Sequence, residues 1–248
     1  MEKTKNTKND MVESLFSVGA HFGFVKSRRH PSVKPFIFGS KNNFEIFDLE
    51  KTKEKLNQAL AFIEEKGKEG TMALWVGGKS EAREAVKKAA SELEMPYVAG
   101  RWIGGTLSNF SEIKKRIIRL EELVGQRERG ELNKYTKKEH LLFDRKIDKL
   151  TIYFGGLSQL KFLPKFIVII DPKKEYTAVA EARKMRIPIV ALAGSDTNLY
   201  LLDYPIPGND SSRQSITFIL KELVAAYKRG LALKKEAAAK ELTGIDLK

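Results

Sequence analysis

The 248-residue sequence contains no cysteine. That excludes disulfides, thiolate metal sites and any cysteine nucleophile. Histidine is scarce: His21, His30 and His140 are the only three. No two of them share the spacing by which a helix presents a pair of imidazoles to a metal, so no metal site is expected. No G-x-S-x-G and no G-x-G-x-x-G occurs, and no internal repeat is visible. No apolar run approaches the ~20 residues needed to span a bilayer. The stretch Met1 to Asp10 is polar and leads into no apolar segment, so neither a signal peptide nor a membrane partner is expected. These absences point to a cytoplasmic protein with no cofactor.

Positive charge is abundant. Lys and Arg total 45 against 32 acidic residues, a net charge of +13. Such a surplus favours a polyanionic partner, because each cation set against a phosphate releases counterions. Hydrophobic residues make up 42% of the chain, enough for a real core.

The apolar pattern divides the chain. Phe36 to Phe38 and Phe44 to Phe47 look like short strands at a sheet margin. From Lys51 onward, helical spacing (Leu56, Leu60, Ile63) alternates with continuous apolar runs such as Met72 to Val76. Glu81 to Leu93 predicts a helix, Tyr97-Val98 a strand and Phe166 to Ile170 another. Helix Tyr176 to Lys184, strand Ile187 to Ala193 and helix Ser211 to Arg229 follow. Uninterrupted apolar strands between helices imply a parallel sheet covered on both faces. In the middle, Phe110, Ile113, Ile117, Leu120 and Val124 step by 3 and 4, as do Phe143, Ile147, Leu150, Phe154 and Leu157. Two such seams around a polar turn predict an antiparallel coiled-coil hairpin ended by Gly155-Gly156. The expected organisation is a mobile tail over 1–10, an α/β domain over 11–107 and 158–230, the hairpin over 108–157, and a charged tail over 231–248.

Few segments could carry chemistry. Gly77-Gly78-Lys79-Ser80 follows a strand, where a phosphate-binding loop would sit. A Walker A loop, however, needs glycine where Ala73 stands. The plainer expectation is a glycine turn with Ser80 capping the next helix, and an intermediate one has Lys79 holding an RNA phosphate. Asp171 and Asp203, at strand ends, are expected to be connectors rather than acid–base groups. An enzyme on this fold would use Lys79, Ser80 and Asp171, but the sequence displays no convergent set to complete it. The segment Lys26 to Lys34 gathers Lys26, Arg28, Arg29, His30 and Lys34 between rigidifying prolines, a composition suited to phosphate contact. Within Gly100 to Phe110, Arg101 can fork onto phosphate, and Trp102 can either stack or pack; packing is the expectation. Lys41, Thr106, Asn109, Lys114 and Lys115 complete the candidate RNA contacts.

Arg101-Trp102-Ile103-Gly104-Gly105-Thr106-Leu107-Ser108-Asn109-Phe110 resembles the signature of the ribosomal protein S2 family. So do His21-Phe22-Gly23, Pro35 to Gly39, Ile46 to Thr52, Phe154-Gly155-Gly156, Leu163-Pro164, Asp171 to Glu175, Ala178 to Arg183 and Ile206 to Asp210, in order. The resemblance spans roughly Ser14 to Lys228. It implies a non-catalytic protein with a three-layer α/β/α, flavodoxin-like fold and a protruding coiled-coil hairpin. It further implies a place between head and body of the small ribosomal subunit, on ribosomal RNA beside neighbouring ribosomal proteins, and docking of ribosomal protein S1. The chain departs from the family pattern where Phe24 replaces a second histidine and where Arg29 and His30 replace Trp and Asn. Gly194 to Leu202 also lacks most of the family's aspartates, which argues against a cation site there.

Overall fold

The computed structural model describes residues 11–245, so the expectations for 1–10 and for the last three residues lie outside the described residues. A first helix, α1, covers residues 11–17. Then come three short strands, β1 (Phe22–Val25), β2 (Ile37–Lys41) and β3 (Phe44–Phe47). They form their own antiparallel sheet, ordered β1-β3-β2, rather than the margin of a larger one. Asn42 and Asn43, both at positive φ, make the β2–β3 turn, a backbone region asparagine tolerates better than most residues.

The main sheet takes β4 (Ala73–Val76), β5 (Tyr97–Val98), β6 (Phe166–Ile170), β7 (Ile189–Ala193) and β8 (Tyr204–Pro207). All pairs are parallel and the order is β5-β4-β6-β7-β8. Alternate residues feed two cores, as strand geometry requires. Ala73, Trp75, Phe166, Val168, Val190 and Leu192 pack on α2 (Leu49–Glu69), α3 (Arg83–Glu92) and α7 (Arg213–Ile245). Leu74, Val76, Ile167, Ile169, Ile189 and Ala191 pack on α6 (Tyr176–Lys184) and the foot of the hairpin. Three layers result, as expected of a flavodoxin-like fold.

Local signals set the helix ends. Asp48 caps α2, its Oδ1 accepting from the N–H groups of Glu50 (3.1 Å) and Lys51 (3.4 Å). Gly70, at φ +70°, closes it. Ser80 does not cap α3: its hydroxyl donates to Glu81 Oε2, and the helix starts only at Arg83. Between β5 and β6 in the chain, α4 (Phe110–Glu128) and α5 (Lys137–Phe154) form a helical hairpin. Arg127 near the end of α4 stands 4.0 Å from Asp144 in the first half of α5, and Ile113 near the start of α4 lines one cavity with Leu150 and Phe154 near the end of α5, so the pair is antiparallel. Ile113, Ile117, Leu120 and Ile147 of the two seams are buried. Supercoiling of this pair remains an expectation from the seam spacing. Thr136 and Glu139 make a capping box at α5, which ends where Gly155-Gly156 begins. The last helix continues through the segment expected as a tail, as far as Ile245. Among the described residues, no helix is long and apolar enough to cross a membrane.

Candidate nucleic-acid interface

The small sheet and its two 3-10 turns carry the first cationic surface. Between Phe22 and Phe47 the only acidic residue is Glu45, which is buried and bonded to Arg29 Nη1 at 2.8 Å. Every exposed charge on this segment is therefore positive: Lys26, Arg28, Lys34 and Lys41. Arg29 is committed inward, holding a carboxylate that would otherwise be buried alone. His30 has a local task as well, its Nδ1 accepting from the N–H of Ser32 at 3.2 Å. The segment docks on the loop after β7. Ser195 Oγ accepts from Phe24 N–H (2.8 Å), and Ser195 O accepts from His30 N–H (2.9 Å). Phe16, Phe22, Phe38 and Phe44 are exposed beside the cations.

Beneath this segment lies a buried ion cluster at the C-terminal ends of the strands. Lys79 Nζ stands 3.1 Å from Asp171 and 3.5 Å from Asp210, and donates to Ser211 Oγ at 3.0 Å. Burial lowers the Lys79 ammonium, but the charges of Asp210 and Asp171 outweigh it and raise its pKa overall. Lys79 is thus an internal tie between the loops after β4, β6 and β8, and is not free to hold an RNA phosphate. Arg28 and Lys173 flank Asp196 at 3.6 and 2.7 Å. The acids of this region are matched by the chain's own cations. Among the described residues, no cluster suited to a metal ion occurs. Asp203 is a connector, its Oδ2 accepting from the Ile189 N–H at 2.8 Å.

Burial, joined by the charge of Asp171, pushes the Asp210 carboxyl up to about 6 against the pull of Lys79. A carboxyl with a raised folded pKa contributes stability that is full below its unfolded value of 3.8 and lost as pH rises through about 6. In Asp210→Asn, melting temperature should therefore fall less than in the wild type as pH rises from 4 to 6. Equal slopes would show that Asp210 does not titrate in that window.

The glycine-rich loop at 100–110 has an internal occupant. The carboxylate of Glu181, from α6, accepts from the N–H groups of Gly105 (2.7 Å), Leu107 (2.9 Å) and Ser108 (3.1 Å), and from Trp102 Nε1 (3.2 Å). Burial alone would raise its pKa; the N–H groups of Leu107, Ser108 and Gly105 outweigh that and lower it. The loop is an anion nest whose anion belongs to the protein. Trp102 is buried, as expected, and cannot stack on a base. Thr106 is buried too, its hydroxyl donating to Ile103 O at 2.6 Å. Arg101 and Asn109 stay exposed at the rim, with Lys114 and Lys115 on the first turns of α4. Lys115 shares an exposed pair with Glu112 at 2.6 Å. The sequence singled out the loop but missed its anchor. The available signal was Glu181 standing on the helix face of Ala178 and Ala182, both buried.

The match to known proteins covers the same elements. The family model described as Ribosomal protein S2 matches residues 15–230. The chain belongs to the ribosomal protein S2 family. It is 41% identical over 233 residues to the small ribosomal subunit protein uS2 of a Nitratiruptor species, covering 94% of this chain and 86% of that one. It is 40% identical over 225 residues to uS2 of Helicobacter acinonychis (strain Sheeba), covering 91% and 92%. Against uS2 of Aliarcobacter butzleri it is 39% identical over 236 residues, covering 95% and 87%. S2 proteins are structural and non-enzymatic.

Proposed function

We propose that this S2 protein is a structural constituent of the small ribosomal subunit, in the cytoplasm, and binds small-subunit ribosomal RNA between head and body. The observation that carries the RNA contact is the segment from Phe22 to Phe47, on which all exposed charges are cationic and the one acid is buried. Of the candidate contacts, Lys26, Arg28, Lys34, Lys41, Arg101, Asn109, Lys114 and Lys115 are exposed and can reach phosphate. Arg29, His30, Lys79, Trp102 and Thr106 instead hold the surface in shape. The expected division, with 108–157 as a separate hairpin insertion, would let that hairpin reach neighbouring ribosomal proteins. Docking of ribosomal protein S1 is the second part of the proposal. It is supported by the exposed aromatics Phe16, Phe22, Phe38 and Phe44, an apolar face beside the cationic one.

Each phosphate contact on duplex RNA should contribute roughly 0.9 to the slope of log affinity against log salt. Replacing Lys26, Lys34 and Lys41 together by Gln should flatten the slope for small-subunit RNA by between about 2 and 3. An unchanged slope would remove this segment from the interface.

A further inference from the structure

In chain order the main sheet runs 2-1-3-4-5, and its direction of growth reverses between β4 and β6. Loops leaving adjacent strands at such a reversal diverge and open a crevice at the carboxyl ends, where doubly wound folds take ligands. Here the crevice has a volume of about 410 Å³ and is lined by Gly78, Arg83, Gly100, Arg101, Lys174 and Tyr176, among others. A second cavity, of about 470 Å³, shares Arg83 and Gly100 with it. That cavity runs past Lys87 to the foot of the hairpin at Gly155-Gly156. Together they make one groove across the edge of β5.

Its floor is close-packed backbone. A side chain at Gly78 would meet Gly100 O and the Glu175 carboxylate, and one at Gly156 would meet Tyr97. Its rim is cationic: Arg83, Lys87, Arg101 and Lys174 are all exposed. Arg83 Nε donates to Gly78 O at 3.1 Å, which fixes its guanidinium in place. Among the described residues, no direct ion pair holds Lys87, Arg101 or Lys174. The one carboxylate in the lining, Glu175, is buried and accepts from Gly78 N–H at 3.1 Å. Tyr176 stands at the mouth, 72% exposed, at the start of α6. Unpaired cations around a concave floor, with a free aromatic ring at one end, are the components of a site for an unpaired nucleotide.

We infer that this groove binds nucleoside phosphate, supplied by an unpaired segment of RNA, with phosphates on Arg83, Lys87 and Arg101 and one base stacked on Tyr176. The source of the ligand rests on the RNA-binding function proposed above; the seat is new. A free mononucleotide presents the same chemistry, so both are probed.

The test uses the full chain. Small-subunit ribosomal RNA and a single-stranded RNA carrying 2-aminopurine are titrated across a salt series, and adenosine monophosphate is titrated separately. Arg83→Gln with Lys87→Gln and Arg101→Gln should flatten the salt slope for single-stranded RNA by about 2, at ~0.7 per lost phosphate contact. Tyr176→Ala should weaken binding about tenfold and abolish 2-aminopurine quenching, as loss of one stacked base does. Tyr176→Phe should keep the quenching, and Lys68→Gln on α2 should change nothing. All these positions are exposed, and an unchanged melting temperature shows that the variants fold. If the wild type binds small-subunit RNA while the groove variants keep slope and quenching, the groove is overturned and the RNA-binding function stands. If it binds no RNA but takes adenosine monophosphate through Arg101, the seat survives and the RNA-binding function fails. Binding neither overturns both.

Discussion

Replacing Glu181 by alanine should lower the stability of the protein by about 4 kcal/mol, with a fall in melting temperature on the order of 10 °C. The carboxylate gathers three backbone N–H groups and the Trp102 indole, all within 3.2 Å. Without it these donors lose their acceptor in a part of the molecule where Trp102 and Leu107 are buried. Each buried donor left unsatisfied costs about 1–3 kcal/mol, and water entering the gap recovers part of that. Glu181→Gln should cost about half as much, since an amide offers one acceptor oxygen in place of two. The pH dependence separates charge from shape. A carboxyl with a lowered folded pKa contributes stability that is present above its unfolded value of 4.5 and lost as pH falls through the folded one. The wild type should therefore lose more stability than Glu181→Gln on acidification below that value. Thermal unfolding of the three proteins at neutral and acid pH measures both effects. A loss under about 1 kcal/mol in the alanine variant would mean that the loop holds its shape without the anion.

Gly230→Ala should cost about 3 kcal/mol, an unusually large effect for a single added methyl group. Here α7 crosses α2 backbone to backbone. A Cβ on Gly230 would collide with Glu64 O and lie 2.8 Å from Gly67 Cα. On the other helix, a Cβ on Gly67 would collide with Tyr227 O. Neither obstacle is the end of a flexible side chain, so the helices themselves must separate. That would loosen Leu56, Ile63, Leu223 and Tyr227, all buried in the same core. Alanine normally favours a helix over glycine by up to ~1 kcal/mol, so the sign of the effect is itself diagnostic. A stabilised or neutral Gly230→Ala in denaturant unfolding would show that the crossing is looser than the structure has it.

The alternation of apolar runs and helical spacing was enough to read the three-layer sheet. Fully buried parallel strands such as Phe166 to Ile170 have no polar positions to blur them. The small sheet was harder. Phe44 to Phe47 was legible as a strand and Phe36 to Phe38 only in part, since Phe36 ends a 3-10 turn and the strand runs on to Lys41; β1 was not, because Gly23 gives Phe22 to Val25 little strand character. Which sheet they join depends on long-range contacts such as Ser195 to Phe24, invisible to local pattern. The candidate surface was legible as charge and illegible as commitment. Arg29 and Lys79 look like any other cations until Glu45, Asp171 and Asp210, distant in sequence, are brought beside them. The glycine-rich loop was recognisable by composition, yet its anion sits 73 residues or more further along the chain. Ser80 failed as a cap because the turn after β4 is spent on Lys79 and its partners before α3 begins.

Co-sedimentation of the tagged full chain with small ribosomal subunits across a salt series tests the structural, RNA-bound role most directly. The chain should travel with the subunit at low salt, leave it progressively as salt rises, and be freed by nuclease. Absence from the subunit at every salt concentration, or a partner complex that survives nuclease intact, would contradict it.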